Sequence, residues 1–161
     1  MTELFKALYN CGLILETNLE KLSIEKSKID DFKKEKLIEE KTYNLKDKEI
    51  IYYKSTELGE KHFRVNNPNK NNFYRNFNVE KMILLSDFYC SLSEEERRNW
   101  KNKDEWLIDV QVGKPIDGTY YKGKDLLGVS ILSSKSSLDV IRQIEMFVKK
   151  SKIKNLNYIF Y

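Results

Sequence analysis

The chain has 161 residues, of which 34% are charged and 40% hydrophobic, with six Gly and two Pro. That is room for one ordinary domain or two small ones, and it excludes a large multidomain enzyme, a flexible linker and a fibre. Lys and Arg total 29 against 25 Asp and Glu, a surplus that permits contact with nucleic acid without establishing it.

No apolar run reaches the roughly 18 residues that a membrane-crossing helix needs. The start, Met1-Thr2-Glu3-Leu4, lacks the basic end and apolar stretch of a secretory leader. The expected location is therefore the cytoplasm, with no membrane partner. Cys11 and Cys90, the only cysteines, fall in apolar patterns and read as reduced core thiols. Together with the lone His62 they match no zinc spacing, so neither a metal nor another cofactor is expected.

Leu4, Phe5, Leu8, Tyr9 and Leu13 recur at helical spacing and predict an amphipathic helix over residues 2 to 14. Thr17 is placed to cap a short second helix, Asn18 to Leu22. A third helix is predicted over residues 25 to 36, with Ile29, Phe32 and then Leu37 inward and Lys26, Lys28, Lys33 and Lys34 outward. Leu37 to Tyr43 reads as a strand, Asn44 to Lys48 as a polar turn and Glu49 to Lys54 as the partner strand. Thr56 then caps a closing helix through Glu57, Leu58 and Phe63.

The run Asn66-Asn67-Pro68-Asn69-Lys70-Asn71-Asn72 is too polar to pack, and its Pro disfavours helix. It sets the expected domains at 1–66 and 78–161, with an Asn-rich, aromatic linker at 67–77. Residues 1 to 66 hold 13 basic and 13 acidic side chains, so the whole positive surplus lies beyond them. In the linker, Phe73, Tyr74 and Phe77 around Arg75 form an aromatic arm, expected to dock on its own domain or a dimer mate rather than to stack on bases.

In the second half Asn78 caps a helix with Val79, Met82, Ile83, Leu85, Phe88 and Tyr89 on its apolar face. Ser93 and Glu96 have capping-box spacing for a further helix containing Trp100. Strands are predicted at Leu107 to Val112, Gly118 to Tyr121 and Leu126 to Leu132. A Ser137-capped helix defined by Leu138, Ile141, Ile144, Phe147 and Val148 follows, then a last strand, Asn157 to Tyr161. The expected fold class is α+β, a three-helix and hairpin unit followed by a small α/β sandwich.

Two stretches, Phe32-Lys33-Lys34-Glu35-Lys36-Leu37-Ile38-Glu39-Glu40 and Tyr53-Lys54-Ser55-Thr56-Glu57-Leu58-Gly59, resemble the winged helix-turn-helix family. The first looks like the end of its recognition helix running into the wing, the second like its wing exit. In the second half, Pro115-Ile116-Asp117-Gly118-Thr119-Tyr120, Gly128-Val129-Ser130-Ile131-Leu132 and Ile144-Glu145-Met146-Phe147 resemble the core of the restriction-endonuclease-like, or PD-(D/E)XK, superfamily. The likeness is to versions fused behind winged helices in plasmid replication-relaxation and mobilisation proteins. That superfamily needs one acid, matched by Asp117, and a second acid followed two positions later by Lys to hold Mg²⁺ and polarise water. Val129 or Ser130 and then Ile131 or Leu132 stand there instead. The resemblance therefore implies a degenerate nuclease fold, and Asp117 reads as a turn residue beside Gly118.

No phosphate-binding glycine loop, zinc-protease pair or nucleophile elbow is present, and the expected protein is not an enzyme. The winged-helix likeness implies binding to double-stranded DNA without catalysis, in replication, mobilisation or transcription control of a bacterial plasmid, phage or other mobile element. Lys26, Lys28, Lys33 and Lys34 are the expected groove contacts, and Lys46 and Lys48 the expected wing contacts. Arg97, Arg98 and Lys101, and the Lys149, Lys150, Lys152, Lys154 cluster, are further candidates for phosphate contact, although lysines at a helix end also complement its dipole. A homodimer and a protein partner for the C-terminal domain are expected as well. Two alternatives stand beside this one. The zero net charge of residues 1 to 66 suits a protein inhibitor or adaptor, for example an anti-CRISPR, docking on a nucleoprotein complex. A metal-dependent nuclease using Asp117 is the third.

Overall fold

The structure, a computed structural model, describes residues 2–70, 72–106 and 116–161. The strand expected at Leu107 to Val112 lies outside them. The chain is mixed α and β and divides into two compact units, Met1–Ser91 and Leu92–Tyr161.

The first unit opens with α1 (Glu3–Cys11), shorter than the predicted helix because Gly12 enters the left-handed region at φ 79° and its N–H donates back to Leu8 O. That is the backbone a glycine accepts without strain. The chain then forms β1 (Ile14–Leu15) and two 3₁₀ turns, Glu16–Asn18 and Glu20–Leu22, in place of the expected short helix. Leu19 occupies the N-terminal position of the second turn, so Thr17 does not cap it.

Next come α2 (Lys26–Lys34), β2 (Ile38–Leu45) and β3 (Lys48–Ser55). The antiparallel ladder continues to the Leu45–Lys48 pair, further than the predicted turn allowed. Only Lys46 and Asp47 are left to turn, at φ 46° and 65°, as a two-residue hairpin loop demands. β1 pairs with β3, giving a three-stranded antiparallel sheet in the order β1-β3-β2.

Thr56 caps α3 (Glu57–Asn66) as expected, its Oγ1 accepting from the Gly59 N–H at 3.1 Å. Gly59 and Phe63 of this helix face the core, and Leu58 is 52% exposed.

Phe73 and Tyr74, expected within a linker, pack on the first unit. The Tyr74 N–H donates to Tyr9 O at 2.8 Å, and Phe73 meets the rings of Tyr9 and Phe63 edge-on at 5.1 and 5.3 Å. α4 (Val79–Ser91) follows, with the Asn78 side chain accepting from the Lys81 N–H. It packs on α1 and the 3₁₀ segment through Asn10–Tyr89 (3.2 Å) and Asn18–Asp87 (2.9 Å) hydrogen bonds. The compact unit therefore ends at Ser91, not at residue 66. Cys11 and Cys90 are both free and buried in it, and burial, then the neighbouring Cys90, pushes the Cys11 thiol well up.

In the second unit, Ser93 and Glu96 make both bonds of the capping box at the start of α5 (Glu94–Arg98). Trp100 lies beyond that helix, stacked on Tyr120 at 6.0 Å. β4 (Lys101–Asn102), α6 (Lys103–Trp106), β5 (Gly118–Lys122), β6 (Asp125–Leu132), α7 (Leu138–Lys150) and β7 (Asn155–Phe160) complete it. The sheet order is β4-β5-β6-β7, antiparallel except for the parallel β6–β7 pair, whose crossover is α7. Ser137 caps α7, accepting from the Val140 N–H. Ile144 of α7 packs with Ile116, Leu132 and Ile153, and Leu138 at the start of the helix is 70% exposed.

Gly59 carries a packing constraint. A Cβ there would overlap the Leu37 carbonyl oxygen, a backbone atom that cannot swing aside. Gly59→Ala is expected to destabilise the first unit by about 3 kcal/mol, the upper range for overpacking. Urea unfolding checks this, and an unchanged midpoint would contradict it.

Candidate nucleic-acid interface

α2 is held by few residues. Ile29 is its buried side chain, and Phe32 sets its ring edge-on to Phe5 at 5.4 Å. At its C-terminal end Lys36 takes a left-handed φ of 56°, and the Leu37 N–H donates to Phe32 O at 2.9 Å. The Thr56 hydroxyl donates to Lys36 O at 2.7 Å, while the Thr56 N–H donates to Leu37 O at 3.1 Å. Helix end, hairpin exit and α3 thus meet at one threonine.

The expected groove lysines differ in their surroundings. Lys26 Nζ is 3.3 Å from Glu16, Lys33 is 2.6 Å from Glu40 and Lys34 is 3.6 Å from Asp31. The Glu40 hydrogen bond raises the Lys33 pKa. Among the described residues Lys28, Lys46 and Lys48 are exposed and form no ion pair. The fold separates the six lysines into two sites, α2 and the hairpin tip. The exposed positions of α2 and its flanks, Lys26, Lys28, Lys34 and Lys36 against Glu25, Asp30, Asp31 and Glu35, carry as much acid as base. At the tip, Lys46 and Lys48 flank Asp47.

In the second unit Arg98 pairs with Glu94 at 2.6 Å, and Arg97 donates to the Leu92 carbonyl. Both serve α5 locally, whereas Lys101 is exposed on β4. A denser basic cluster forms elsewhere. The Lys154 N–H donates to Leu126 O and its ammonium pairs with Asp125 at 2.7 Å. This brings Lys152 and Lys154 beside the β5–β6 turn that carries Lys122 and Lys124, with Lys149 and Lys150 in the last turn of α7. Lys149, Lys150, Lys152 and Lys154 are the cluster expected from sequence. Lys122 and Lys124 join them only through the strand pairing.

Asp117 is not a surface turn residue. It is 3% exposed, its N–H donates to Val129 O, and its Oδ2 accepts the Ile131 N–H at 2.8 Å. Ile131 stands at one of the positions where the endonuclease likeness asks for a charged group. Among the described residues no three His, Cys, Asp or Glu side chains gather as metal ligands, and no helix is long and apolar enough to cross a membrane. The chain matches no family model and no curated protein.

Tyr53, behind the helix, is buried and donates to Glu16 Oε1 at 3.5 Å. Burial first, then the Glu16 and Glu40 carboxylates, pushes its phenol up to about 12, against about 10 in an unfolded chain. Between those values the unfolded state holds fewer protons, so stability falls as pH rises. Tyr53→Phe is expected to lose less stability than the wild type between about pH 9 and about pH 11. Urea unfolding at the two pH values checks this, and an equal loss would count against it.

Proposed function

We propose that the protein binds double-stranded DNA without catalysis, the first unit docking as a winged helix and the second adding phosphate contacts. The observation that carries this reading is the element order of the first unit. A solvent-facing helix, α2, leads directly into a hairpin with a lysine-flanked tip, and β1 completes the small sheet behind them. That is the arrangement in which a winged helix offers a helix to the major groove and a wing to the backbone.

Charge sets the limits of the interaction. Three of the four α2 lysines are engaged by carboxylates, and arginine, the usual reader of guanine, is absent from that helix. Affinity therefore rests on Lys28, Lys46 and Lys48 in the first unit and on Lys122, Lys124 and Lys152 in the second, where Lys154 is engaged by Asp125. Binding of this kind is dominated by phosphate neutralisation, strongly salt-dependent and modest in sequence preference. The degenerate endonuclease-like second unit serves as a binding module in a plasmid, phage or other mobile-element protein.

A second reading is favoured by the absence of any net positive charge on the exposed positions of α2 and its flanks. In it the same helix docks on a basic protein surface, as an inhibitor or adaptor of a nucleoprotein complex would.

Fluorescence anisotropy with a random duplex at two salt concentrations separates the readings. DNA binding is expected to weaken steeply with salt. Lys46→Glu/Lys48→Glu and Lys122→Glu/Lys124→Glu are each expected to lower affinity by roughly tenfold or more and to reduce the salt slope by about 2. Absence of binding at low salt, or indifference to both double variants, would transfer the proposal to the protein-docking reading.

A further inference from the structure

Four strands border the two described sheets, and three of them are blunted. β1 and β4 are two residues long each, and β2 carries Glu39, Glu40 and Lys41. Short length and charge are the usual means by which a sheet edge refuses another strand. β7 has neither. Its run Asn-Leu-Asn-Tyr-Ile-Phe holds no charged residue and no Pro, and it forms one edge of the four-stranded sheet.

The hydrogen bonds fix which groups of β7 look outward. The Tyr161 N–H donates to Leu132 O and its carbonyl accepts from the Ser134 N–H, so Tyr161 points both backbone groups toward the β6 side. Successive residues of a strand alternate, and the unbroken β6–β7 register carries that alternation back along the chain. Phe160, Tyr158 and Leu156 therefore turn their N–H and C=O groups to the open side. Their side chains lie on the face covered by α7. Leu156 and Tyr158 pack against the Ile144 and Ile153 cluster, and Phe160, stacked on Tyr158 at 6.2 Å, stays 53% exposed.

We propose that β7 pairs antiparallel with β7 of a second copy of this chain, about a two-fold axis at Tyr158. In that register Tyr158 faces Tyr158 and Leu156 of each copy faces Phe160 of the other. All the outward backbone groups named above are then used, each pair exchanging both N–H···O bonds. Apolar side chains meet apolar side chains across the join, which covers Phe160. Charge sets the direction. Lys152 and Lys154 stand just ahead of the strand, and a parallel pair would set each against its own copy. The antiparallel register puts the two Lys154 positions roughly 26 Å apart, at about 3.3 Å per residue, well past the roughly 8 Å over which exposed charges act at physiological salt. The assembly also closes, because the two-fold consumes both β7 edges and leaves β4, two residues long, at the far side of each sheet. A second copy is the occupant because this edge complements itself in hydrogen bonds, apolar surface and charge. The inference does not rest on the nucleic-acid reading.

Sedimentation equilibrium of the full chain tests the proposal. The wild type is expected to form a dimer and nothing larger, with a dissociation constant of about 100 µM or tighter. Phe160→Lys sets a charge in the join at a position already half in solvent, and is expected to weaken the dimer at least about tenfold while the far-ultraviolet circular dichroism is unchanged. Leu58→Lys, the same change at an exposed apolar residue of the first unit, is expected to leave the dimer as it is. Asn155→Cys/Tyr161→Cys checks the register. These positions face each other across the join as a non-hydrogen-bonded pair with Cα atoms about 4.5 Å apart, within disulfide reach. Oxidised glutathione is expected to convert this variant, and not the wild type with its buried Cys11 and Cys90, to a covalent dimer on a non-reducing gel. A chain that stays monomeric at roughly 100 µM, larger polymers, a dimer that Phe160→Lys leaves unweakened, or no covalent dimer would each overturn the proposal.

Discussion

The first unit depends on how the C-terminal end of α2 is closed. The last carbonyls of α2 accept from the turn that follows it, Asp31 O from the Glu35 N–H, Phe32 O from Leu37 and Lys33 O from Lys36, and Thr56, twenty residues beyond Lys36, holds that turn by donating its hydroxyl to Lys36 O and its N–H to Leu37 O. The same hydroxyl accepts from the Gly59 N–H and so begins α3. One residue thereby fixes the end of the exposed helix, the exit of the hairpin and the entry of the next helix. Because Gly59 has no side chain, α3 can approach the Leu37 carbonyl closely enough for that to happen. The position of the lysine-flanked tip relative to α2 follows from this junction.

Much of the local structure was legible because it rests on short-range chemistry. The Ser93–Glu96 capping box, the Ser137 and Thr56 caps and the apolar period of α1 each act within a turn or two, and all are found. What was hidden depends on distant partners. β1 and β4 are two residues each and exist only through pairing with β3 and β5. The Asn-rich segment does end α3, but its polarity carried no sign that Phe73 and Tyr74 just beyond it complete the α1 core. The domain boundary was misplaced for that reason. Trp100 was assigned to a helix by its apolar character, whereas its ring fills the space above Gly118, where a Cβ would overlap it.

The candidate interface shows the same division. Lysine positions on α2 follow from helical period, but Glu16 and Glu40, which engage Lys26 and Lys33, come from the preceding turn and the following strand. A count of basic residues along the helix overstates the charge available to a phosphate, because such pairs are already formed in the free protein. In the second unit the error runs the other way. Lys122 and Lys124 are unremarkable in sequence, and the parallel β6–β7 pairing sets them beside Lys152 and Lys154.

Among the described residues the buried acids are compensated. Glu60 meets two guanidinium groups, and Asp117 receives the Ile131 amide. Both acids are thereby compensated, as burial of a charge requires, and both tie distant segments together. Lys54 is half-buried without a comparable partner among the described residues, next to cations that oppose its charge. Half-burial does not strand such a charge, because the apolar stem of a lysine lies along the protein surface while the ammonium at its end keeps its water.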